Sequence, residues 1–177
     1  MPPEGTGRVS ISDEKRSPGL RLHQRRSELT VNFDYAGSRK FLEYEVESWI
    51  RGTPDPKPHR SKNIIYGPNQ TYRISIKDGT LKGKKTYDID QELKEVKRWG
   101  GGVTQGGAFS LTAPEGSPGW VATILPAASI DVPDGEKPAI WGLLLNREKL
   151  DLPAGSSLEA WAAKADAAFL FRIKLSD

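Results

Sequence analysis

The chain contains no cysteine, which excludes disulfides, thiol nucleophiles and thiolate-bound zinc or iron–sulfur sites. It has only two histidines, His23 and His59, too few for a histidine-rich metal centre, and no cofactor is expected. Long apolar runs are missing too. The longest, Ala139–Leu145, falls far short of the roughly 20 residues a bilayer-spanning helix needs. The N-terminal MPPEGTGRVSISDEKR has no apolar centre and does not read as a secretory signal. The expected location is therefore the cytosol, or a particle assembled from it, with no membrane partner. On that reading the glycosylation sequon Asn69-Gln70-Thr71 is coincidental.

What remains is a chain of 177 residues with 18 Gly, 13 Pro and 36% hydrophobic residues, suited to one loop-rich β domain. Residues 1–19 are polar, rich in Pro, Gly and Ser, and aperiodic; they read as an N-terminal arm. Residues 20–177 read as a single domain.

Alternation marks the strands. Leu29, Val31, Phe33 and Tyr35 interleave with Thr30, Asn32 and Asp34, and Phe169, Phe171, Ile173 and Leu175 interleave with Leu170, Arg172 and Lys174. Over Phe41–Arg51 the alternation of Leu42, Tyr44 and Val46 with Glu43, Glu45 and Glu47 favours a strand, although Leu42, Val46, Trp49 and Ile50 also trace a helical stripe. A Pro-rich loop is expected over 52–61 and strands over 108–112 and 120–125. Residues 140–145 are apolar on both faces, as in a buried central strand. Two short helices are predicted. One runs about 89–99, capped by Asp88 or Asp90, with Leu93, Val96 and Trp99 as its stripe. The other runs about 157–166, opened by Ser156-Ser157-Leu158-Glu159. The expected fold is mainly β, an antiparallel β-sandwich or jelly-roll-like domain, with the last strand pairing far back in sequence.

Charge is uneven. Residues 1–98 carry 20 basic and 14 acidic side chains, and residues 99–177 carry 6 and 9. Between 51 and 85, nine basic residues face only Asp55 and Asp78. A hairpin turning at Asp78-Gly79 would gather Arg73, Lys77, Lys82 and Lys84 on one face, or Lys85 if Gly83 forms a bulge. Like charges opposite each other on a sheet need an anion. The Glu43, Glu45 and Glu47 face of a neighbouring strand is the favoured source, and nucleic-acid phosphate the other.

Catalytic motifs are missing. Gly79 and Gly83 are separated by three residues where a phosphate-binding loop needs four, the GGGVTQGG run fits no dinucleotide fingerprint, and no G-x-S-x-G or H-E-x-x-H occurs. Both histidines are expected to be exposed. Glu43, Glu45 and Glu47 lie at about 7 Å intervals along a strand face, compatible with paired carboxylates but simpler as a solvated face. The five Trp are scattered and expected to pack in the core. The favoured function is a non-catalytic structural or interaction protein that assembles through its arm and sheet edges, a coat-like or decoration-like subunit being one form, with self or another protein as partner. The alternatives are a nucleic-acid or polyanion-binding module using 73–85, and a carbohydrate-binding sandwich.

Overall fold

A computed structural model of the chain describes residues 4–11, 19–65, 69–96, 106–113 and 119–177. Two antiparallel sheets face each other. The first has six strands in the order β11 (Ser129–Pro133), β1 (Thr6–Ile11), β3 (Arg26–Ala36), β7 (Asn69–Leu81), β8 (Lys84–Val96) and β9 (Gly106–Thr112). The second has seven. Its path runs β2 (Gly19–Leu22), β10 (Trp120–Leu125), β12 (Ala139–Asn146), β13 (Ala167–Ser176), β4 (Phe41–Ile50) and β5 (Thr53–Pro54), with β6 (His59–Ile64) also on β4.

The main core is what alternation dictates: the long strands send every second side chain into the space between the sheets. Val31, Phe33, Tyr72, Ile74, Ile76, Tyr87 and Ile89 come from the first sheet, and Leu42, Tyr44, Val46, Leu143, Phe171 and Ile173 from the second; all are buried. A second cluster covers the outer face of the second sheet. There the helix α1 (Leu158–Lys164) lays Leu158, Trp161 and Ala162 on Trp120, Ile124, Leu144 and Leu170. Ser157 caps α1 by accepting the Ala160 N–H at 3.1 Å. β12 is thus covered on both faces, which is why its sequence is apolar throughout. The last strand pairs with β4, placing Ser176 opposite Phe41.

Four expectations are corrected. No helix forms at 89–96. Tyr87, Ile89 and Gln91 point inward and alternate with Asp88, Asp90 and Glu92, and β8 pairs with β7 along its length and with β9 over Thr86–Glu92. Sheet pairing on both sides outweighs the weak helical stripe, and residues 97–99 lie outside the described region. The hairpin turns at Lys82-Gly83, not Asp78-Gly79: both turn residues have positive φ (52° and 77°), as a two-residue type I′ connection requires. Gly79 instead lies in β7, where a Cβ would meet Asp88 Oδ2 at 2.5 Å. Residues 6–11, expected within a polar arm, form β1, hydrogen-bonded between β3 and β11 with Val9 opposite Phe33 and Ile130. The Pro-rich stretch likewise holds β5 and the start of β6.

Candidate functional site

The shifted turn disperses the predicted basic cluster. In the observed register Arg73 stands opposite Glu92, with Nη2 3.7 Å from the carboxylate, and Lys77 stands opposite Asp88. Lys84 pairs across the turn with Leu81, and Lys82 occupies the turn itself. Lys85 belongs to the opposite face of the hairpin, where Nζ lies 3.5 Å from Asp78 Oδ2 and 5.7 Å from the centre of the Tyr87 ring. Acidic side chains of β8 therefore stand against basic side chains of β7, and the five residues do not form one patch.

The glutamates of β4 are not a solvated face either. Glu45 is buried and receives Lys137 Nζ at 2.8 Å, with Arg60 at 3.9 Å. Glu47 binds Arg172 at 3.1 Å and accepts the Trp49 indole N–H at 2.6 Å; Arg172 also reaches Glu159 on α1 at 3.0 Å. Their cations come from β6, β13 and the segment before β12, not from the 73–85 hairpin. Trp120, Trp141 and Trp161 are buried and Trp49 packs against the second cluster; Trp99 lies outside the described residues.

The geometry instead draws attention to His23, expected to be exposed but with a side chain only 2% accessible. It sits between β2 and β3, in a turn where Arg25 adopts a positive φ of 58° and the Arg26 N–H reaches back to Gln24 O at 2.5 Å. That tight reversal brings His23 and Ser27 together, with Nδ1 2.7 Å from Ser27 Oγ. Pairing of β3 with β7, Arg26 opposite Lys77, delivers Asp78 to the other side of the ring, with Nε2 2.7 Å from Asp78 Oδ1. Asp78 is held by its own N–H to Arg25 O at 2.9 Å and by Lys85. Tyr87 meets the imidazole edge-on at 5.9 Å; burial, with the Asp78 charge adding to it, pushes its phenol up to about 12.

Beside this network the sandwich opens. A cleft of about 270 Å³ lies between β2 and β10 on one side and β3 and β7 on the other. Its floor is Ile74, Ile76, Leu125 and Trp141, all buried, and its mouth carries Arg21, Gln24, Arg26 and Glu28. Ser27 lines it. Trp141 on the floor has a buried Nε1–H with no acceptor among the described residues. Among those residues, no group of His, Asp or Glu is arranged to hold a metal ion, and no helix is long and apolar enough to cross a membrane.

Fold and site together define a two-sheet antiparallel β-sandwich with an open, amphipathic cleft at one edge. Comparison with known proteins finds no family model, no curated protein and no solved structure that matches the chain.

Proposed function

We propose that the protein is a binding module whose cleft takes the apolar end of a small anionic amphiphile. The observation that carries this reading is the division of the cleft: an apolar floor of Ile74, Ile76, Leu125 and Trp141 beneath a mouth bearing Arg21 and Arg26. A concave, largely apolar site with a few convergent polar groups is the usual form of a small-molecule pocket. Arg26 is engaged by Glu28 at 2.8 Å, whereas Arg21 has no ion-pair partner among the described residues and is the cation open to an anionic head group. Titration with hexanoate and octanoate, followed by calorimetry and Trp fluorescence, tests it. Saturable binding is expected with a Kd of about 10–100 μM, weakened about tenfold by Arg21→Glu and abolished by Ile76→Trp, which fills the floor. Absence of saturable binding by either acid overturns the reading.

A second reading, assembly through a sheet edge, is favoured by β2. It ends the second sheet and exposes Leu20 (37%) and Leu22 (54%). Because β1 is a strand of the sandwich, deleting the first 19 residues would remove part of the sheet along with any arm. Leu22→Lys in the full chain is the cleaner probe. Light scattering that shows an oligomer reduced to monomer by Leu22→Lys supports assembly, and a monomer at every concentration overturns it.

A further inference from the structure

We propose that the same cleft cleaves carboxylic esters, with Ser27 as nucleophile, His23 as general base and Asp78 as the positioning residue. The proposal rests on the cleft reading above and adds chemistry to it. Three residues that no sequence motif joins form a continuous chain of hydrogen bonds: Ser27 Oγ to His23 Nδ1 at 2.7 Å, and His23 Nε2 to Asp78 Oδ1 at 2.7 Å. Asp78 can only accept from the ring, so it selects the tautomer with its proton on Nε2. That leaves the Nδ1 lone pair facing the serine hydroxyl. A nucleophile bonded to a base that a third group orients is the arrangement that activates serine, and it is recognised by roles and geometry rather than by position in the chain. Here the ring is presented with Nδ1 toward the serine; what matters is that the other nitrogen is held.

Two independent features support this assignment. Ser27 lines the cleft, so its hydroxyl stands between the base and the space a substrate would occupy. The ring is also shielded from water, with Tyr87 packed against it edge-on.

The step balances without a cofactor. Ser27 Oγ bonds to the ester carbonyl carbon while its proton moves to His23 Nδ1, and Asp78 stabilises the imidazolium through Nε2–H. Collapse of the tetrahedral intermediate breaks the bond to the alcohol oxygen, which leaves with the proton from Nδ1. Water then attacks the acyl-serine, gives a proton to Nδ1, and releases the carboxylic acid as Ser27 recovers its hydrogen. Ester and water become acid and alcohol. Arg21 and Gln24, at the cleft mouth, are the side-chain donors assigned to the developing oxyanion.

The test uses the full chain with p-nitrophenyl butyrate as substrate and an alkyl fluorophosphonate as covalent probe. Expected results are turnover above background, a single fluorophosphonate adduct mapped to Ser27, and loss of both in Ser27→Ala. Asp78→Asn should lower kcat by about 10³-fold or more with KM little changed, and Asp78→Glu should restore part of it, a split that a purely structural clasp would not give. Wild-type protein no faster than Ser27→Ala, or an adduct elsewhere, overturns the proposal. Octanoate titration of the wild type separates the two readings: binding without ester turnover overturns the chemistry alone, and no saturable binding overturns the cleft reading as well.

Discussion

The indole of Trp141 lies flat on the ring of Phe171, with centroids 3.6 Å apart and planes 9° from parallel. The two residues face each other across β12 and β13 and are almost fully buried, so the stack ties the centre of the second sheet to the core. Trp141 also forms part of the cleft floor, so truncation would join its own void to existing space. Trp141→Ala is expected to cost about 3–5 kcal/mol in urea unfolding, because transfer and cavity terms add. Trp141→Phe keeps an aromatic surface and should cost less, about 1–2 kcal/mol.

The turn between β7 and β8 offers a change in the opposite direction. Lys82 holds φ at 52°, where a side-chain Cβ is crowded, and Gly83 follows at 77°. Asn tolerates this region better than Lys, and Asn-Gly is the preferred type I′ pair. Lys82→Asn should stabilise by about 0.5–1 kcal/mol, and Gly83→Ala should destabilise by about 1 kcal/mol, both read from thermal melts. A Lys82→Asn protein that melts below the wild type would show that the chain does not turn at Lys82-Gly83.

That turn also shows where the sequence misleads. Asp78-Gly79 is a strong hairpin signal and Lys82-Gly83 a weaker one. The longer pairing wins because it sets Ile76 against Ile89 and Lys77 against Asp88, information that lies in β8 and not in the turn. β3, β12, β13 and α1 were legible, since period-two alternation, a doubly apolar run and a capping box are each local signals. The Ser27–His23–Asp78 chain was not legible. Asp78 is 55 positions from His23 and meets it only through the pairing of β3 with β7. Once that register is known, Asp78 follows Lys77, the partner of Arg26, and lands beside the turn that holds His23.

Arg172 anchors the charged layer under α1. It joins Glu47 on β4 to Glu159 on α1 and is itself only 14% accessible. Removing one partner from a shielded ion pair leaves the others desolvated without compensation, which costs more than the pair contributes. Arg172→Met should therefore destabilise by about 2 kcal/mol, while Arg172→Met combined with Glu47→Gln should recover part of that loss. A double mutant no more stable than the single one would show that Glu47 and Arg172 are not coupled.

Alkaline pH should weaken the fold through Tyr44 and Tyr87. Burial holds the Tyr44 phenol well above its usual range, with the neighbouring Tyr72 adding to it, and burial and the Asp78 charge push Tyr87 up to about 12. In the unfolded chain both phenols titrate near pH 10. Their contribution is thus fully present below about pH 10. Above it the unfolded chain binds fewer protons than the folded one, so stability falls as pH rises toward 12. Tyrosinate absorbance from these two residues should appear together with loss of the far-UV circular dichroism signal. Tyr87→Phe should flatten the alkaline decline. At neutral pH it should change stability by no more than about 1 kcal/mol, because the hydroxyl it removes is buried with no hydrogen-bond partner among the described residues. Identical alkaline profiles for Tyr87→Phe and wild type would show that the Tyr87 phenol titrates freely in the folded state.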